Sequence, residues 1–181
     1  MALTPSTMLP LGTKAPDFEL LDTGSCKLRN LQRLKSSKAT VIMFICNHCP
    51  YVKHVQKQLI ALAKDYQPKD IAFIAISAND AENYPEDGPK EMAKHTYPFP
   101  YLYDENQSTA KAYQAACTPD FYIFDKDLLC VYRGQLDDSR PGNQVPVTGK
   151  ALRDALDNLL TDTPIDPDQK PSIGCNIKWK K

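Results

Sequence analysis

The chain has 181 residues, enough to bury a hydrophobic core of its own. Its 22 basic and 22 acidic residues cancel, which excludes a global field drawing it to nucleic acid or to an anionic membrane surface. The apolar runs, such as Val41 to Ile45 and Ile71 to Ile76, fall far short of the roughly 20 residues a membrane-spanning helix needs. In chain order, the opening Met1-Ala2-Leu3-Thr4-Pro5 has neither the basic nor the apolar region of a signal peptide, so the expected address is cytoplasmic. The first twelve or so residues read as a loosely held end. Phe18-Glu19-Leu20-Leu21 and Cys26-Lys27-Leu28, split by Asp22-Thr23-Gly24-Ser25, predict a small hairpin ahead of the main fold.

Val41 to Ile45 has almost no alternation, as expected of a strand buried on both faces. After Pro50, the spacing of Val52, Val55, Leu59, Leu62 and Tyr66 predicts a helix with one apolar face, and Pro50 suits its first turn. Ile71 to Ile76 predicts a second buried strand. A long connection follows, with short helices expected near Pro89–His95 and Glu105–Ala115. Its first part, Asp80 to Pro100, reads equally as a border of a site or as a surface excursion. Phe121–Phe124 and Leu128–Tyr132 flank Asp125-Lys126-Asp127 and predict an antiparallel hairpin. Leu152, Ala155, Leu156, Leu159 and Leu160 mark a last helix, with Thr148 as its expected N-cap. Thr161 to Pro171, rich in Pro and Asp, reads as a loosely held segment. A βαβ unit followed by a ββα unit predicts an α/β protein with one mixed sheet covered by helices on both faces. We expect a single domain over 1–181, with its core at about 12–160 and a C-terminal tail at 161–181.

Six cysteines, at 26, 46, 49, 117, 130 and 175, do not imply a disulfide framework in a chain of this size with its own core. Cys26 and Cys130 read as small buried hydrophobes. Cys46-Asn47-His48-Cys49 differs by its position, directly after a buried strand and at the start of an amphipathic helix. Unpaired N–H groups and the helix dipole there favour a thiolate, and two intervening residues let both sulfurs meet across one turn. No second cysteine pair stands at zinc-ligand spacing. His48 is expected to stabilise the thiolate as a neighbouring cation, which would make the disulfide more oxidising. His54, one turn further on, reads as a surface residue. Cys117-Thr118-Pro119-Asp120 places a proline immediately before the first hairpin strand, where a cis bond is compatible with the sheet.

Together these residues resemble the thioredoxin-fold superfamily, with Cys46-Asn47-His48-Cys49 as its CxxC and Thr118-Pro119 as its Thr–cis-Pro. Ala15-Pro16-Asp17-Phe18-Glu19-Leu20 resembles the opening of the peroxiredoxin and redoxin (AhpC/TSA) branch. CNHCPYVKH at 46–54, Ser77 to Asp80, Tyr101 to Asp104, Cys117 to Phe121 and PSIGCNIKWK at 171–180 resemble peroxiredoxin-like proteins carrying a thioredoxin-type CxxC. The resemblance implies a thioredoxin-like fold with an N-terminal β-hairpin extension and a thiol–disulfide oxidoreductase. Cys46 attacks, Cys49 resolves, and Thr118 and Pro119 present backbone to the partner. Cys117 and Cys175 are auxiliary thiols or plain structural ones. The implied partners are protein or low-molecular-weight thiols and disulfides and an upstream thiol reductant, with no cofactor, metal, nucleic acid or membrane.

The motif also departs from its relatives. Ile45 stands where thioredoxin has Trp, and the interior Asn47-His48 resembles that of oxidising, disulfide-forming enzymes. Aligned on Cys49, the peroxiredoxin Pro-x-x-x-Thr-x-x-Cys pattern has Ile42 and Cys46 in place of Pro and Thr, and no activating Arg stands near Thr118. Peroxidase activity of that type is therefore expected to be weak. Two alternatives stay open at this point. One makes Cys49 a peroxidatic cysteine resolved by Cys46, and the other makes the pair a metal-binding carrier.

Overall fold

The computed structural model describes residues 3–181, so Met1 and Ala2 lie outside the described residues. The chain runs β1 (Leu3–Pro5), β2 (Glu19–Asp22), β3 (Lys27–Asn30), α1 (Leu31–Leu34), β4 (Ala39–Phe44), α2 (Pro50–Tyr66), β5 (Ile71–Ser77), α3 (Pro89–Met92), β6 (Tyr101–Tyr103), α4 (Ser108–Ala112), β7 (Cys117–Thr118), β8 (Asp120–Asp125), β9 (Cys130–Gly134), α5 (Lys150–Leu160) and β10 (Ile173–Asn176). Seven strands form one mixed sheet in the order β3-β2-β6-β5-β4-β8-β9, and β1-β10-β7 form a second, small sheet. Helices flank the central sheet, the arrangement of the thioredoxin-like fold.

The apolar run around residue 42 works as its composition requires. All six residues of β4 are buried, between β5 in parallel and β8 in antiparallel register. Val41 and Met43 face α2 (Val52, Val55, Leu59, Leu62) and α5 (Leu152, Ala155, Leu156). Ile42 and Phe44 face the other way, into a cluster with Leu31, Ala110, Tyr113, Tyr122 and Phe124. A strand with two apolar neighbours cannot alternate, which is why period-two patterning is missing there. Among the described residues, no helix is long and apolar enough to cross a membrane.

The expected N-terminal hairpin is present as β2–β3, and several other expectations are corrected. The hairpin β2–β3 is joined to the central sheet through β6, with Leu21 opposite Tyr103. β6 has three residues, too few to show a pattern. The N-terminal segment is held: β1 pairs with β10, and Leu9 is buried in the second core cluster. Cys26 is exposed, at the hairpin turn with φ 55, whereas Cys130 is buried. The N-cap of α5 is Gly149 (φ +70), because a Cβ there would come 3.1 Å from Leu62 of α2; the Thr148 hydroxyl accepts from Lys150 N at 3.2 Å.

The tail docks through two glycines. At Gly134 (φ +133) a Cβ would lie 2.1 Å from the Lys170 carbonyl oxygen, and at Gly174 it would lie 2.0 Å from that of Thr118. Only glycine lets backbone approach backbone so closely. Residues 161–171 are mostly exposed but not loosely held throughout, since Gln169 Oε1 accepts from Arg133 and Lys170 O accepts from Gln135 N, and β10 beyond them is a paired strand.

Candidate active site at the start of the long helix

β4 ends at Phe44, and the Ile45 N–H still donates to Ile76 O at 3.0 Å, so the chain leaves the sheet at Cys46. Cys49 is the N-cap of α2, with extended backbone (φ −65, ψ 123), and Pro50 takes the first helical position. The turn thus places one sulfur at the sheet's end and the other on the end of the helix. Both residues are buried, Cys46 at 2% and Cys49 at 0% exposure.

The two interior residues are pinned from a segment whose role the sequence left undecided. Asp87, wholly buried at the end of a 3-10 turn over Pro85–Asp87, accepts the backbone N–H of Asn47 at 2.7 Å and of His48 at 3.0 Å. Its second oxygen accepts from Asn79 Nδ2 at 2.7 Å and pairs with His48 Nδ1. Asn47 donates to Glu86 O at 2.9 Å and accepts from Tyr101 Oη at 3.0 Å. The His48 ring stacks on Tyr84, 5.6 Å between centroids. Asp87, Asn79, Tyr84 and Tyr101 are site residues that sequence reasoning missed, and the excursion at 80–100 is a border of the site.

Thr118 and Pro119 face the pair, and the bond joining them is cis. Cys46 Sγ lies 3.5 Å from Thr118 Oγ1 and Cys49 Sγ lies 3.3 Å from Thr118 O. Cys175, brought in by β10 opposite Thr118, places its Sγ 2.7 Å from Cys49 Sγ. Cys117 is buried beside Pro119, its Sγ 3.8 Å from the Pro119 carbonyl. His54 is half-buried and bonded to Ser139 Oγ at 2.7 Å, so it is less exposed than expected.

The thiols differ in charge preference. Cys49 is held below the ordinary range by the Cys46 thiol that donates to it, against its own burial, and further by Cys175, Thr118 and the Val52 N–H. Cys46 is held above it by that same donation to Cys49, then by burial and by the charge of Asp87. The pair therefore shares a proton and titrates as a unit. Burial, and then Cys49, push Cys175 up to about 12, while burial and Asp120 raise Cys117. Ligand atoms of Cys46, His48 and Asp87 also lie within 4.8 Å of one another, a donor set able to hold a metal ion.

The AhpC/TSA family matches residues 11–133. The chain belongs to that family. No curated protein matches the sequence. An uncharacterized conserved protein from Geobacillus kaustophilus is 61% identical, with 99% of this chain and 97% of that one covered and a TM-score of 0.98. A hypothetical protein from Sinorhizobium meliloti is 45% identical, with 98% of each chain covered and a TM-score of 0.94. The thioredoxin domain of a thiol-disulfide oxidoreductase from Bacteroides vulgatus shares the fold at 15% identity, with 72% of this chain and 91% of that one covered and a TM-score of 0.57. The protein is thus a thioredoxin-like redoxin, and its family is one of redox enzymes of the thioredoxin type.

Proposed function

We propose that the protein is a thiol–disulfide oxidoreductase that works through the Cys46/Cys49 dithiol on protein or low-molecular-weight disulfides. The observation that carries this reading is two buried thiols on one turn at the N-terminus of α2, both in contact with Thr118, next to the cis Pro119. Cys46, as thiolate, attacks a sulfur of the partner disulfide; a Cys46–partner bond forms and the partner's first thiolate leaves. Cys49 gives up its negative charge in that step by taking the Cys46 proton. It then loses that proton, attacks Cys46 Sγ and expels the second partner thiolate. Two electrons pass to the partner and Cys46–Cys49 becomes a disulfide, which an upstream thiol reductant resets. His48, held by Asp87 beside Cys46, tunes the charge the thiols feel, and Thr118 and Pro119 position the partner. We place the protein in the cytoplasm, where such a reductant is supplied.

One observation favours a second reading. Cys49, the sulfur nearer to a thiolate, is the one that aligns with a peroxidatic cysteine. Its surroundings are two other sulfurs and Thr118 rather than an Arg, which suits sulfur exchange better than peroxide activation.

The test is the reduction potential of the pair, read by alkylation and mass spectrometry across a graded thiol–disulfide buffer. A reversible Cys46–Cys49 disulfide near roughly −270 mV marks a reductant and one near about −120 mV an oxidant. Cys46→Ser is expected to abolish turnover and Cys49→Ser to trap a mixed disulfide. If no such disulfide forms at any poise, the dithiol mechanism fails and metal content decides for the Cys46, His48, Asp87 donor set.

A further inference from the structure

We propose that Cys175 is a third working thiol, which exchanges with the Cys46–Cys49 disulfide and carries it inward as Cys49–Cys175. The proposal deepens the reading above and rests on it for the source of the first disulfide.

The geometry is specific. Cys175 lies 126 residues from Cys49 in sequence, yet the two Sγ atoms are 2.7 Å apart. A disulfide bond is about 2.05 Å, so closure asks for about 0.7 Å of sulfur movement, within the swing of two χ1 angles. This contact is not the accident of a loose end. Cys175 is paired with Thr118 of β7 on one side and with Leu3 of β1 on the other. Gly174 makes the approach feasible, since any side chain there would run into the Thr118 carbonyl. The same Thr118 whose hydroxyl faces Cys46 therefore also fixes the strand that delivers Cys175.

Cys49 Sγ is the shared neighbour, on the same turn as Cys46 with both sulfurs against Thr118, and in contact with Cys175 on the other side. Exchange needs this arrangement of an attacking sulfur, a central sulfur and a leaving sulfur. Cys175 Sγ attacks Cys49 Sγ; the Cys49–Cys175 bond forms, the Cys46–Cys49 bond breaks, and the proton of Cys175 ends on Cys46. No electron is gained or lost, so no further oxidant is needed, and the step runs in either direction. Its product keeps the oxidising equivalents in a buried strand and returns Cys46 to the thiol form beside Thr118. The matched family region ends at residue 133, so this thiol comes from a part of the chain outside it.

The experiment maps disulfides in the full-length protein. Wild type, Cys46→Ser and Cys175→Ser are equilibrated in graded glutathione buffers, quenched with acid, alkylated, digested and sequenced by mass spectrometry. The proposal expects Cys49–Cys175 peptides in oxidised wild type, the same bond in Cys46→Ser, and its loss in Cys175→Ser, which retains Cys46–Cys49. It is overturned if oxidised wild type yields Cys46–Cys49 alone at every poise. The wild-type map decides even if a variant folds poorly. The two failures are distinct. Absence of Cys46–Cys49 sinks the dithiol mechanism, whereas absence of Cys49–Cys175 sinks the role of Cys175 and leaves that mechanism standing.

Discussion

Replacing Asp87 by Asn tests the clamp on the active turn. The amide oxygen of the new side chain can still accept the N–H groups of Asn47 and His48, but an NH2 now faces Asn79 Nδ2. Asn79 cannot turn its amide round to help, because its Oδ1 is already bound to Lys178 N at 2.8 Å. Two donors then meet at a buried position, and the His48 ring loses its carboxylate. The ring is partly exposed (16% of its side chain) and water can replace that bond, so the Asn79 contact dominates the cost. A buried donor left without its charged acceptor costs about 3 kcal/mol, which in a protein of this size lowers Tm by about 6–12 °C. The same substitution removes a negative charge close to Cys46, one of the causes that raise that thiol. At about 5 Å and an effective dielectric near 20, that charge is worth at most about 3 kcal/mol to a thiolate. For a two-electron couple this sets a ceiling of about 70 mV on the rise in reduction potential, toward the oxidising side, and the rise is smaller to the extent that the reduced pair carries its charge on Cys49. Calorimetry reads the first effect and disulfide mapping in glutathione buffers the second. A Tm loss under about 2 °C together with an unchanged potential would refute the assignment of Asp87 as the group that holds and charges the turn.

Asp120 is wholly buried between Ser6 Oγ (2.8 Å) and Tyr122 Oη (2.9 Å), and burial raises its carboxyl from 3.8 to about 7. The folded protein then binds a proton between these values that the unfolded chain has released, so stability is lost as pH rises from about 4 to about 7, by up to about 4 kcal/mol. Asp120→Asn is expected to remove that part of the slope in urea midpoints taken at several pH values; an unchanged slope contradicts the assignment. Gly174→Ala is expected to detach β10 from β7, seen as faster alkylation of Cys175, because the Cβ would meet backbone at 2.0 Å; unchanged protection would show that β7 can move instead. Leu59→Ala, deep between α2 and the sheet, is expected to cost about 2–5 kcal/mol in urea unfolding while leaving the potential of the pair unchanged; a shifted potential would mean that the core and the thiols are coupled.

The parts of the fold legible in the sequence are those whose burial is a property of a local run. β4 and β5 are covered on both faces and so are written without alternation, and α2 buries one face and so shows the three-and-four spacing. The unread parts pair over long distances in very few residues. β6 spans three residues, β7 two, and β10 pairs with strands far away in the chain. No periodicity can establish itself in so short a stretch. The same holds for the site. Cys46 and Cys49 were legible because a strand–turn–helix context is local, whereas Asp87 sits in a Pro-flanked turn that reads as surface. Its purpose is set by two backbone N–H groups forty residues earlier in the chain, which carry no residue-type signal at all. Cys26 and Cys130 show the converse limit: both stood in hairpin sequence, and only the pairing register decides that one is exposed at the turn and the other is inside.

The interaction of Cys46 with Cys49, then the burial of Cys46 and then the charge of Asp87, leave the charge on the second sulfur of the motif rather than the first. A turn that opens a helix offers free N–H groups, and on the bare motif the thiolate at its start is the natural beneficiary. Here the N–H groups of Asn47 and His48 are already taken by a carboxylate, which returns a negative charge to the neighbourhood of Cys46. Cys49, as the N-cap, still looks along the helix at the Val52 N–H and receives the Cys46 thiol as well. Charge and attack are therefore divided between the two sulfurs in our scheme, and the proton they share must cross from Cys46 to Cys49 before Cys46 can react. His48 shares that carboxylate, through its backbone N–H on one oxygen and its ring Nδ1 on the other. The reactivity of the pair is accordingly a property of four groups, of which the CxxC motif shows three.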